Sequence, residues 1–334
     1  MLYLLLPPLI VFAVVFLFLA SKPKDFLVRR SLVIDRDRQA IFDAVRNLKT
    51  WKDWSPWLLH EPNARLTYSE DPKPNREGGS YRWHGHHIGL GHLTNVRFEE
   101  PVRIEQRIVS SRPFRYRGTI QWEFTKVDGG TEVTWTLNGV MPFAFRAMGP
   151  MLSRLLRKDY DLGLAMLRGH LDPKADHPRI RFIGQMERKP LTAITVPFHG
   201  SIHEMVEQMR ADFPRLAAHL DAIGVKPAGA PFTAYRKVDE QGLNFDCDFG
   251  IPIPDGTDPG EFQIKTFDGG RYYQTDLQGS YDYLEATWYS LTSHLRLVRV
   301  AQDKTRPSLE IYKVGPDKAA HGNEILTQIF VAVR

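Results

Sequence analysis

The chain has 334 residues, 43% hydrophobic and 25% charged, an ordinary globular mixture that excludes a disordered, collagen-like or coiled-coil protein and is long enough for more than one domain. Lys and Arg number 44 against 39 Asp and Glu, a net charge of +5. That excess is spread along the chain without a basic helix or a Lys/Arg run, so no nucleic-acid partner is expected. The single cysteine, Cys247, excludes an internal disulfide and a cysteine-rich zinc site.

From Leu2 to Ser21 no side chain is charged. Twenty residues at about 1.5 Å each span roughly 30 Å, the hydrocarbon thickness of a bilayer. No Lys or Arg precedes the run and Phe18-Leu19-Ala20 is a poor cleavage site, which argues against a signal peptide. Residues 1–21 are therefore expected to be an uncleaved membrane anchor. Lys22, Lys24, Arg29 and Arg30 follow it, which places the body of the protein on the cytoplasmic side.

The segment 25–172 alternates as strand, helix, many strands and one long helix. Phe26–Ile34 reads as a strand, and Ile41, Phe42, Val45 and Leu48 mark an amphipathic helix. Between Tyr81 and Thr136, β-type runs are separated by turn signals at Gly89-Leu-Gly91, Glu100-Pro101, Arg112-Pro113 and Asp128-Gly-Gly130. The stretch from Pro150 to Leu171 is helical, with Leu152, Leu155, Leu156, Met166 and Leu167 on its apolar face. Three groups of residues carry a resemblance: Trp51-Lys-Asp-Trp54-Ser-Pro-Trp57, Tyr81-Arg-Trp83-His-Gly85 with Gly89-Leu-Gly91, and Gly130-Thr131-Glu-Val-Thr134-Trp135. With them the segment resembles the SRPBCC superfamily of START-like and polyketide-cyclase-like domains. The resemblance implies a helix-grip fold, a curved antiparallel sheet closed by the long helix, with an apolar cavity between them. Most of Trp51, Trp54, Trp57, Trp83, Trp122 and Trp135 read as packing residues.

Residues 173–188 are polar and basic and read as a linker. Beyond them the chain repeats itself. Pro197-Phe-His-Gly200-Ser201 precedes one helix, and about 79 residues later Leu277-Gln-Gly279-Ser280 precedes another. Downstream, Phe232-Thr-Ala-Tyr235 matches Leu309-Glu-Ile-Tyr312, and each half ends in an alternating strand. Two strand–helix–strand–strand halves are thus expected over 189–334, paired as an α+β domain with a cleft between them. Gly200-Ser201, Gly279-Ser280, Tyr235, Leu309-Glu-Ile-Tyr312 and the closing Thr327–Val333 make this segment similar to GyrI-like small-molecule-binding domains, the effector-binding part of multidrug-responsive activators. No helix-turn-helix precedes it here, so a DNA-binding role is not carried over.

Alternation places Glu310 and Tyr312 on one face of a strand, and aligning the halves on Tyr235 and Tyr312 sets Thr233 against Glu310. Only one half therefore supplies a carboxylate. The resemblance implies that this Glu recognises cationic aromatic ligands with rings stacked beside it, chemistry suited to charge pairing and cation–π attraction. Glu310, Tyr312, Tyr235, Trp288, Phe249 and Tyr273 are the candidate ligand-binding residues. The reading is a membrane-anchored protein that senses or sequesters hydrophobic small molecules, cationic aromatic ones among them. A hydrolase with Glu310 as general base is the alternative, and a ligand-controlled regulatory module is a third reading, its protein partner unassigned. No catalytic residue is otherwise proposed, since G-x-S-x-G and phosphate-loop motifs are absent. His84, His86, His87 and His92 lack a third ligand at recognisable spacing, so neither metal nor cofactor is expected. Cys247, alternating with Phe245 and Phe249, reads as a small buried hydrophobe.

Overall fold

A computed structural model describes residues 2–112, 115–239 and 244–334, with side chains described from residue 11 onward. Contacts divide the chain into two units, Met1–Ala175 and Asp176–Arg334.

In the first unit, helix α1 (Leu2–Ala20) leads into β1 (Asp25–Ile34), α2 (Arg38–Arg46) and α3 (Trp51–Trp54). Then come β2 (Arg65–Tyr68), β3 (Ser80–His84), β4 (Leu90–Glu99), β5 (Arg103–Ser110), β6 (Tyr116–Val127), β7 (Gly130–Val140) and α4 (Gly149–Leu171). The strands form one antiparallel sheet in the order β1-β7-β6-β5-β4-β3-β2. β1 buries Phe26 and Val28 while Leu27 and Arg29 face outward, the two-residue period of a half-buried strand. Asp37 caps α2 by accepting the N–H of Gln39.

Helix α4 buries Leu152, Leu156, Tyr160, Leu164 and Leu167 in the same core as the sheet's inner face. The apolar cavity expected there is occupied. Trp51, Trp54, Trp122, Trp135 and Tyr160 are all at most 1% exposed. Trp135 stacks on Trp122 at 4.3 Å and on Tyr160 at 3.9 Å, with Trp51 and Trp54 edge-on. Each such ring buries roughly 150–250 Å², about 4–6 kcal/mol as an upper bound, so filling the space is favoured over leaving it open. A buried polar chain crosses the core. Trp122 donates to Gln106, Gln106 donates to Asn95, each at 2.9 Å, and Asn95 donates to the carbonyls of Arg46 and Pro74.

Residues 2–20 are helical, but the anchor expected over residues 1–21 is not supported as a span. Among the described residues, no helix is long and apolar enough to cross a membrane. The side chains of residues 1–10 lie outside the description, and the ten from Val11 to Ala20 rise only about 15 Å, half of a hydrocarbon core. Val11, Phe12 and Val14–Phe18 are exposed, and Phe16 meets Phe143 at 5.1 Å between ring centroids.

The second unit comprises β8 (Arg179–Arg188), β9 (Leu191–Ser201), α5 (Ile202–Ala222), β10 (Phe232–Val238) and β11 (Asn244–Pro252). It continues with β12 (Gln263–Phe267), β13 (Gly270–Gln278), α6 (Leu284–Leu297), β14 (Ser308–Val314) and β15 (Leu326–Ala332). The sheet order is β12-β9-β11-β10-β14-β15-β13-β8. This order reads the same from both ends once the halves are exchanged, as the repeat requires. Each half nevertheless carries one strand more than expected. β8 lies in the stretch 173–188 read as a linker, and it pairs with β13 of the other half, while β12 pairs with β9. Both are edge strands bearing charge (Arg179, Arg181, Glu187 and Arg188 on β8; Lys265 on β12). Charge on an exposed edge discourages further strand pairing, and it is also what masks the alternation that would announce a strand.

One helix packs over each half. Leu216 and Leu220 of α5 cluster with Ile194, Ile251 and Ile253, and Leu291 and Leu295 of α6 with Ile329 and Val331. α5 starts at a reciprocal cap in which Ser201 accepts from the N–H of Glu204 and Glu204 accepts from the N–H of Ser201.

Candidate functional site

The centre of the second sheet is the pairing of β10 with β14, where Thr233 lies directly opposite Glu310. Alternation puts Tyr235 and Tyr312 on that same face, one on each strand. All four come together. Tyr235 donates its hydroxyl to Glu310 Oε2 at 2.9 Å, and Tyr312 donates to the same oxygen at 3.0 Å. The Thr233 hydroxyl lies 2.9 Å from the Tyr312 oxygen. With its proton committed to the carboxylate, Tyr312 accepts from Thr233. From α6, the indole N–H of Trp288 donates to Oε1.

Glu310 is only 3% exposed, whereas Tyr235 and Trp288 are half-buried, their rings edge-to-face at 5.8 Å. Phe213 of α5 and Tyr281, just before α6, flank Tyr312 at 5.8 Å and 5.6 Å. The carboxylate is thus the floor of an aromatic surround whose outer rings reach solvent.

Burial raises the Glu310 carboxyl above its ordinary value, against the lowering effect of the bonds from Trp288, Tyr235 and Tyr312. Burial also raises the Tyr235 and Tyr312 hydroxyls well above theirs, and the neighbouring carboxylate adds to it. Four carboxylates are buried among the described residues, and three of them face a cation. Asp248 sits between Arg236 and Lys265, the lysine at 2.7 Å. Asp212 meets Arg215 at 2.8 Å and Asp276 meets Arg181 at 3.3 Å. Glu310 is held by neutral donors, and no lysine, arginine or histidine contributes to its titration. A buried negative charge without a counter-charge is costly to maintain.

Two of the six candidate residues stand apart. Phe249 is fully buried against Phe198 and Phe213, one ring removed from Tyr312. Tyr273 lies on β13 and bonds His294 of α6 at 2.8 Å, in the packing beneath that helix. Phe213 was absent from the candidates. The stripe Met205-Met209-Phe213 on α5, with its spacing of four, is the signal that aims it at the sheet. Cys247 is buried against Met205 and Phe249, and burial pushes its thiol up to about 12.

Sequence comparison agrees with this division of the chain. Residues 25–172 match the family described as polyketide cyclase / dehydrase and lipid transport, and residues 186–334 match the GyrI-like small molecule binding domain. The two matches follow one another along the chain in that order. The stretch matched by the GyrI-like model holds the whole Glu310 centre. No curated protein matches the chain. Similar solved structures include the C-terminal domain of EcmrR (15% identity, 47% of this chain and 98% of that one, TM-score 0.38). SAV2435, solved bound to tetraphenylphosphonium, has 13% identity over 45% of this chain and 92% of its own, with a TM-score of 0.35. CV1439 from Chromobacterium violaceum has 13% identity over 44% and 97%, with a TM-score of 0.34.

Proposed function

We propose that the GyrI-like domain binds small organic cations with aromatic rings and that Glu310 is the counter-charge. The observation that carries this reading is the contrast among buried carboxylates: three are neutralised by the chain itself, and Glu310 alone is left to neutral donors. A delocalised cation docked against the exposed sides of Tyr235 and Trp288 supplies the missing charge and gains cation–π attraction from an aromatic face. The domain's family, small-molecule binding, supports the same reading.

The raised carboxyl also supports a second reading, in which Glu310 takes a proton from water during hydrolysis of a bound ester-like ligand. One experiment separates the two. The full-length chain and Glu310→Gln are titrated with a rhodamine-type dye, followed by dye anisotropy, and the recovered dye is checked for chemical change. Saturable binding of unchanged dye, weakened roughly 30-fold or more in the variant, supports the binder. Time-dependent conversion lost in the variant supports the hydrolase, and equal binding by both proteins rejects Glu310 as the counter-charge.

We further propose that α1 attaches the chain to a membrane with both domains on the cytoplasmic side. Support comes from the charge-free stretch Leu2–Ser21 and from Lys22, Lys24, Arg29 and Arg30 immediately after it.

A further inference from the structure

The outward face of the first sheet treats its arginines in two different ways. Toward the β1/β4–β6 side they are matched by carboxylates: Arg97 to Glu99 at 3.1 Å, Arg103 to Glu99 at 3.3 Å, and Arg29 to Glu123 at 3.7 Å. On β2–β4, arginines are set opposite imidazoles or a threonine, with no carboxylate among them. Arg65 lies opposite His84, and Arg82 opposite both Thr67 and His92. All five share the face opposite the core residues Tyr81 and Leu93. With Ser111 they line a groove of about 380 Å³ that contains no carboxylate. Among the described residues, the side chains of Arg65, Arg82, His84 and His92 make no hydrogen bond or ion pair. The carboxylate next along the chain, Glu61, is committed to the backbone N–H groups of His86, His87 and Ile88.

Two guanidinium forks with imidazoles between them match the oxygens of a phosphate. Strand register identifies where this groove opens. His84 pairs with Leu90, Gly91 with Ser110, Ser110 with Tyr116, Arg117 with Val140, and Val140 with Asp25. That line of partners traces one end of the sheet from the groove to the start of β1, where α1 joins. The same end carries exposed Phe143 and Phe145 and exposed Arg112 and Arg117.

We propose that the groove of Arg65, Arg82, His84 and His92 binds the phosphate of an anionic phospholipid headgroup in the membrane to which α1 attaches the chain. The choice of lipid over free phosphate rests on that attachment, because α1 joins β1 at the same end of the strands as the groove, which lies toward the opposite edge of the sheet, so one membrane surface can meet both.

The test uses the full-length chain in phosphatidylcholine vesicles with an environment-sensitive maleimide dye on Thr94→Cys. That position is next to His92 on the same face and outside the groove, and Cys247 is buried with its thiol raised to about 12, so it is not labelled. Phosphatidic acid in the bilayer is expected to shift the dye emission to the blue. Arg65→Gln/Arg82→Gln is expected to lose most of that shift, roughly fivefold in affinity for each charge. Both arginines are exposed, and an unchanged near-ultraviolet tryptophan signal shows that the variant is folded. An equal shift in the variant, or none with phosphatidic acid, overturns the groove. The same shift with inorganic phosphate and neutral vesicles overturns the lipid as its source. Flotation of the same samples reports on α1 separately: a chain that floats without a phosphatidic acid response refutes the groove and leaves attachment standing, and a chain that does not float refutes both.

Discussion

Thr233 and Glu310 occupy equivalent places in the two halves of the second unit and face each other across β10 and β14. The pseudo-twofold axis therefore passes between them, and the equivalent tyrosines Tyr235 and Tyr312 both reach the single carboxylate. Two symmetric glutamates at this position would repel each other at close range. Replacing one by Thr233 leaves one charge, with a hydroxyl that orients Tyr312 toward it. Asymmetry at one position turns a duplicated scaffold into a site with one charge and a ring on either side.

The burial of Glu310 predicts how stability depends on pH. Its carboxyl is raised in the folded chain, chiefly by burial. The protonated form is thus favoured by folding, and that contribution is complete below the ordinary carboxylate range and lost as pH rises through the raised value. Glu310→Gln should stabilise the fold at pH 7 by on the order of 1 kcal/mol, and by much less at pH 4, with the melting temperature rising accordingly. Melting curves at the two pH values check this, and a variant less stable than wild type at pH 7 contradicts it.

Trp288→Phe removes the donor to Oε1 and leaves that oxygen without it, a loss of about 1–3 kcal/mol when the carboxylate is charged. The same loss raises the Glu310 carboxyl further. Cation binding, which needs the carboxylate, should then begin at higher pH than in wild type. Dye titrations across pH test the shift, and Tyr235→Phe should move the profile the same way.

Asp248→Asn should have the opposite effect to Glu310→Gln. Asp248 is 1% exposed between Arg236 and Lys265, so its neutralisation leaves Lys265 without this partner and Arg236 with Asp246 alone. A loss of roughly 1–3 kcal/mol is expected at pH 7, measured by chemical denaturation. If both substitutions change stability in the same direction, the contrast between the two carboxylates is lost.

Trp135→Ala opens the stack between Trp122 and Tyr160 in the first unit and should cost about 3–5 kcal/mol there. Near-ultraviolet circular dichroism and dye binding in one sample report on both units. The tryptophan signal should collapse while dye binding survives, because every residue of the Glu310 centre lies in the second unit.

Much of this was legible in the sequence, because the signals were periodic or duplicated. The alternation of β1, the long apolar face of α4 and the repeat around Tyr235 and Tyr312 each reflect a backbone geometry that recurs along the chain. Glu310 could be singled out because the repeat breaks there, and Trp288 because it is the one tryptophan of the seven that follows residue 135. In edge strands β8 and β12 charged side chains hide the two-residue period. Tertiary structure alone decided that the tryptophans of the first unit fill the space beneath α4, since packing volume is set by residues distant in the chain. It also decided that Tyr273 turns to His294 while Phe213 turns to Tyr312, and that Arg65, Arg82, His84 and His92 share one groove. Sequence determines which residues can face the same way along one strand or helix. Which of them meet is decided by strand register and helix packing, because those contacts join segments that no local period connects.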